Sequence, residues 1–128
     1  MDVLVISNFY PPEILGGYEL SCAHVVEALR RRGHRVTVLT TGMQSARPEE
    51  RRDVRRILYL SDLYRQVSGD PGHARTVEHT GRVSCHFNVW QVLNALEEIK
   101  PDIVYAFNLL GRGVMNLVDT LNRTGVPW

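Results

Sequence analysis

The sequence predicts an α/β protein, a three-layer α/β/α sandwich with a mostly parallel sheet between helices. Three observations predict it. The apolar run 3–6, Val-Leu-Val-Ile, does not alternate, which suits a strand buried on both faces. A helical stripe follows it, and then residues 35–40, Arg-Val-Thr-Val-Leu-Thr, form a β-branched run that suits a second strand. The alternation of strand-like and helix-like stretches continues along the chain, and such alternation implies right-handed parallel crossovers.

Between Tyr18 and Arg32 the apolar residues Cys22, Val25, Val26 and Leu29 recur on one helical face. Arg30, Arg31 and Arg32 stand where cations favour a helix C-terminus, and Gly33 suits the position just beyond it. The arginine run therefore reads as a capped, solvated helix end before it reads as a ligand site. The next stretch is polar and mixed in sign, with Glu49, Glu50 and Asp53 against Arg47, Arg51, Arg52, Arg55 and Arg56. It reads as a solvated loop, the alternative being a weak patch for an anionic lipid or an acceptor. Residues 56–60 read as a third strand and 68–72, Ser-Gly-Asp-Pro-Gly, as a breaker.

Val89, Val92, Leu93, Leu96 and Ile99 mark a second helix, with Val83 and Phe87 fitting an upstream extension. It stops at Lys100, because Pro101 disfavours α geometry ahead of it. Residues 102–106 read as a fourth strand, about 113–123 as a third helix ending at Thr124-Gly125, and 126–128 as the start of a fifth strand. In a doubly wound order 3-2-1-4-5, strand 4 would be an edge rich in Ile103, Val104 and Tyr105. Such an edge invites pairing with another chain, self-association included. The expectation is a piece of a longer protein.

At 128 residues the chain is sized for one domain. A net charge of +1 gives no field that selects nucleic acid or membrane. Cys22 and Cys85 belong to no C-x-x-C pair and read as two buried thiols in a reducing compartment. His24, His34, His73, His79 and His86 form no metal-binding motif. No leader is evident, and no apolar stretch approaches the roughly 20 residues of a membrane span. A cytoplasmic protein is expected, with no metal and no cofactor.

The strongest functional signal is the connection from Ser7 to Gly17. Strand-to-helix connections usually take about two to six residues, and longer ones are commonly functional. Pro11 and Pro12 stiffen this one, and Gly16 and Gly17 stand at the mouth of the helix. Glycines there let a ligand approach backbone N–H groups, where anions are favoured. The alternative for both is a tight turn needing positive φ. Tyr10 and Asn108 fall at the carboxyl ends of strands, the edge where open α/β sheets bind ligands. Their plainer readings are partial burial for Tyr10 and a loop hydrogen bond for Asn108. Glu19 reads as a dipole-stabilising residue of the first turn rather than a catalytic one.

Residues 3–13, the double glycine at 16–17 and residues 29–40, Leu-Arg-Arg-Arg-Gly-His-Arg-Val-Thr-Val-Leu-Thr, together resemble family 4 glycosyltransferases. The likeness is to the N-terminal, Rossmann-like half of the two-domain GT-B fold. Residues 100–105, Lys-Pro-Asp-Ile-Val-Tyr, and 125–127, Gly-Val-Pro, also fit, and the likeness is weakest over 43–85. The resemblance implies a retaining transferase that moves a sugar from a nucleotide-sugar donor to an acceptor. It puts the acceptor mainly on this domain, the nucleotide mainly on a missing C-terminal domain, and Gly16-Gly17 against the donor diphosphate. It carries no catalytic residue onto this chain, since the family's histidine segment would lie beyond Trp128. Two departures bear on the acceptor. Tyr18-Glu19 stands where many relatives have Ala-Glu, and after strand 4 Phe107-Asn108-Leu109 stands where relatives often carry histidines. Tyr10, Tyr18 and Asn108 are the candidate acceptor contacts.

A helix N-terminus contributes at most about 2 kcal/mol toward an anion. Even a millimolar ligand needs about 4.1 kcal/mol. Without the nucleotide-holding half, donor binding should be weak or absent and the fragment inactive. Two rivals stand beside this reading. A dinucleotide-dependent oxidoreductase would need G-x-G-x-x-G behind strand 1 and an acidic residue ending strand 2, where this chain has a Pro-Pro loop and Thr40-Thr41. A non-catalytic flavodoxin-like binding module would leave the two glycines unexplained.

Overall fold

The structure is a computed structural model and describes residues 1–41, 53–59, 74–108 and 114–128; of 74–84, 108, 114 and 115 only the backbone is described. Its elements are β1 (Asp2–Ser7), α1 (Gly17–Arg31), β2 (Arg35–Thr41), β3 (Val54–Leu58), α2 (Ala74–Ile99), β4 (Ile103–Asn108) and α3 (Val114–Thr124). The four strands are all parallel, in the order β3-β2-β1-β4.

β1 lies at the centre, and every residue from Val3 to Ser7 is buried. Successive side chains of a strand point to opposite faces, so this one strand feeds two cores. Val3 and Val5 pack with Cys22 and Val26 of α1 and with Val36 and Val38 of β2. Leu4 and Ile6 pack with Leu39, with Val92 and Leu96 of α2, with Val104, and with Leu117 and Leu121 of α3. Helices therefore cover both faces, which makes the three-layer sandwich. Each fully buried aliphatic side chain contributes about 1.5–3 kcal/mol, and the unalternating run at 3–6 is the sequence trace of that double burial.

Several boundaries differ from the sequence reading. β3 begins at Val54 rather than Arg56, and Leu60 and the 68–72 breaker lie outside the described residues. Of the charged stretch, residues 47–52 lie outside the described residues, while Asp53 and Arg55 are paired rather than merely solvated. Asp53 pairs with Arg30 at 2.6 Å, and the Arg55 guanidinium donates to both carboxylate oxygens of Glu98 at 2.7 and 2.6 Å. The contact with Arg55 holds the Glu98 carboxyl below its ordinary value. The arginine run is a helix end, but Arg30 also donates to the Val36 carbonyl at 3.1 Å, so it is tied to the sheet. Gly33 takes φ +85 just past α1, the left-handed conformation that favours glycine there.

α2 runs 26 residues from Ala74, so Val83 and Phe87 both lie within it. Its core positions are Val92, Ala95 and Leu96, with Ile99 packed against them. Leu93, expected on that stripe, is exposed, because it falls beside a face already set by spacings of three and four. Residues 126–128 form no strand, but the Pro127 carbonyl accepts the Val104 N–H at 2.8 Å. At that point the outer edge of β4 is occupied by the chain itself. Among the described residues no helix is long and apolar enough to cross a membrane.

Candidate functional site

The connection between β1 and α1 rises from the carboxyl end of the sheet and is fastened at three places. At its base the Asn8 carbonyl accepts the Thr40 hydroxyl at 3.2 Å, the Thr41 N–H at 3.2 Å and the Thr41 hydroxyl. Both threonines end β2, so the strand beside β1 holds the start of the loop. Ser7 Oγ donates to the Phe9 carbonyl at 2.8 Å and turns the chain inward. Phe9 and Tyr10 are consequently buried.

The middle of the loop is held from farther away. Around Pro11-Pro12, whose peptide bond is cis, the Glu13 N–H donates to the Tyr10 carbonyl at 3.2 Å. The Arg56 guanidinium, carried by β3, donates to the Tyr10 carbonyl at 3.0 Å and the Pro11 carbonyl at 2.7 Å. It also lies 3.6 Å from the Glu13 carboxylate, with an Arg56 side chain only 8% exposed. The third fastening is at the helix mouth, where the Glu19 carboxylate accepts the Gly16 N–H at 2.9 Å. Glu19 is buried. It is a capping residue, as its place in the first turn suggests.

Above these fastenings the tip is open. Ile14, Leu15, Gly16, Gly17 and Tyr18 are all exposed, Tyr18 by 65%. Gly16 is extended, and neither it nor Gly17 has positive φ. A Cβ at either position would meet nothing within 4 Å. The tight-turn explanation for these two glycines therefore fails, since neither backbone conformation nor neighbouring atoms in this chain require them. The two amides are not equivalent. Gly16 already donates to Glu19, whereas Gly17 opens the first turn, whose N–H groups have no intrahelical acceptor.

The candidate acceptor residues separate on the structure. Tyr18 stands at the open tip beside the glycines. Tyr10 does not face solvent in the same way, because its ring packs in the α1-side core with Val5, Cys22 and Val38. Burial pushes its phenol up, and a hydrogen bond and the positive charge of Arg30 pull the other way. Packing is the role this placement gives Tyr10. Asn108 closes β4 opposite Ser7 in register, at the same end of the sheet as the loop, and its side chain, like Leu109, lies outside the described residues.

Sequence reading missed Arg56 and the two threonines. Arg56 carried one signal, a charge opening an otherwise apolar strand-like run. The acidic residue that a dinucleotide site would place at the end of β2 is replaced by hydroxyls that hold the loop, which counts against that rival.

Residues 16–128 match the family described as glycosyl transferase 4-like domain. Among curated proteins, the chain is 27% identical over 115 residues to an "Uncharacterized 42.6 kDa protein in cps region" of Klebsiella pneumoniae, a match covering 87% of this chain and 31% of that protein. The chain thus spans about a third of the length of the curated relative it matches. No solved structure matches.

Proposed function

We propose, from the premise that this chain belongs to the glycosyl transferase 4-like family, that it is the acceptor-side part of an enzyme that moves a sugar from a nucleotide-sugar donor to an acceptor with retention. The backbone at Gly16 and Gly17 faces the donor diphosphate, with Gly17 the nearer contact because Glu19 caps Gly16. Tyr18 and Asn108 border the acceptor, and Tyr10 supports the loop from below. No catalytic residue is assigned on this chain.

One observation carries the reading. Two consecutive glycines are exposed at a helix mouth where the chain's own packing and φ values do not call for glycine. Gly16 is the N-cap, a position that suits glycine. Gly17 lies within the helix, where glycine costs up to about 1 kcal/mol relative to alanine, so the reason for Gly17 lies in what approaches from outside. A diphosphate lying against the main chain is such a visitor.

The direct test is Gly17→Leu in the full-length enzyme. The donor kcat/KM should fall by about 100-fold with the fold intact, and unchanged turnover would remove the loop from the donor site. A second test uses residues 1–128 alone. Calorimetry with uridine or guanosine diphosphate sugars should detect no binding, for the energetic reason given above, and micromolar affinity would overturn the need for a second domain.

We place the reaction in the cytoplasm, a setting supported by Cys22 and Cys85, both buried and not joined in a disulfide. Self-association would use the outer edge of β4 away from Val104, whose N–H Pro127 already takes. Sedimentation of the full-length protein checks it.

A further inference from the structure

We infer that Arg56 is the positioning residue of the donor loop, an assignment that rests on the proposed role of Gly16 and Gly17. Arg56 belongs to β3, which is separated from β1 by the whole of β2. It lies opposite Thr40 in the β2–β3 register. Thr40 holds the Asn8 carbonyl, and Arg56 holds the carbonyls of Tyr10 and Pro11. One cross-strand pair therefore grips the loop at successive points along its rise.

The contact needs arginine in particular. Two different guanidinium nitrogens reach two consecutive carbonyls, and the charge also faces the Glu13 carboxylate. A planar fork meets all three from one fixed orientation, whereas a lysine ammonium is a point charge on a flexible stem. Since Arg56 is nearly buried, its orientation is set by the protein rather than by solvent. The glycines lie only a few residues beyond Glu13, so a loop released at Pro11 moves the amides that meet the diphosphate. A small displacement of such groups weakens a phosphate contact strongly.

The test compares Arg56→Lys and Glu13→Gln in the full-length protein by hydrogen exchange and donor kinetics. In Arg56→Lys, exchange at the Glu13 and Gly16 amides should accelerate by about tenfold or more, while the Val26 amide in the core of α1 keeps its rate. The donor KM should rise by a similar factor, about tenfold. Glu13→Gln leaves the fork on both carbonyls and should keep the donor KM of the parent. Unchanged exchange at Glu13 and Gly16 in Arg56→Lys overturns the positioning role whatever the kinetics show. A donor KM raised equally in Glu13→Gln overturns the fork on the two carbonyls as the contact that positions the loop, because the Arg56–Glu13 ion pair would then set it. Accelerated exchange with unaltered donor kinetics leaves Arg56 as the loop's anchor and removes the donor reading instead.

Discussion

From Asn8 to Glu13 the β1–α1 connection is fastened to the sheet, whereas from Ile14 to Tyr18 it stands in solvent. The lower part has its carbonyls taken by Thr40, Thr41 and Arg56 and two aromatic side chains in the interior. The upper part has exposed side chains and two glycines at which an added Cβ would meet nothing within 4 Å. The difference shows how one segment can be both precise and accessible. A site needs supports that hold it to within a fraction of an ångström, and it also needs bare surface. Here the two demands fall on neighbouring residues.

The sharpest way to break this contrast is to truncate one tyrosine from each part. Tyr10→Ala should destabilise the domain by about 3–5 kcal/mol, the usual range for deleting a buried aromatic ring. Tyr18→Ala should stay within about 0.5 kcal/mol. Urea unfolding measures both, and similar midpoint shifts would mean that the tip is held as firmly as the base.

Glycines offer the next contrast. Gly33→Ala forces a methyl group into a left-handed residue and should cost about 1–2 kcal/mol. Gly17→Ala meets no atom and no adverse φ, so it should stabilise by about 0.4–1 kcal/mol. Thermal melts of the two variants shifting in the same direction would argue that Gly17 answers to the fold after all. A smaller effect belongs to the helix mouth. Glu19→Ala removes the acceptor of the Gly16 N–H and should cost about 1 kcal/mol, as other capping losses do. It would also free that amide, which hydrogen exchange at Gly16 would register.

The smallest expected effect is a pH dependence from the core beneath the loop, where Cys22 and Tyr10 pack. Burial raises the Cys22 thiol, partly offset by a hydrogen bond with Ser7, and burial raises the Tyr10 phenol. A folded value above the unfolded one means that the folded chain keeps its proton longer. Stability from Cys22 is therefore full below the unfolded thiol value of about 8.5 and declines as pH rises through the folded value. Tyr10 adds a similar decline above about 10. Melts from neutral to alkaline pH should show the fall, and Cys22→Ala should flatten its first part. An unaltered slope in that variant would remove Cys22 as its source.

Legibility in the sequence followed the same division. The strand at 3–6 and the stripe at Cys22 and Val26 were readable because hydrophobic period is a local property. The long Pro-Pro and Gly-Gly connection was readable because its length and residue types are local too. Arg56 was not. Its partners are the carbonyls of Tyr10 and Pro11, 46 and 45 positions away, and carbonyls leave no mark in a sequence. Asp53 and Arg30 looked like separate solvated charges for the same reason, since only the order β3-β2-β1 brings the start of β3 within reach of the end of α1. Leu93 erred in the opposite direction. It looked like core, and the packing of α2 on the sheet turned it outward.

What the sequence alone determined was the alternation of strands and helices, the parallel sheet buried on two faces, and a glycine-bearing loop too long to be a plain connector. Each of these depends on residues close together in the chain. The tertiary structure decided which charges became supports, which tyrosine turned inward and which glycine amide was left for a visitor. Those outcomes depend on strand order and register, which bring distant residues together only once the whole sheet has formed.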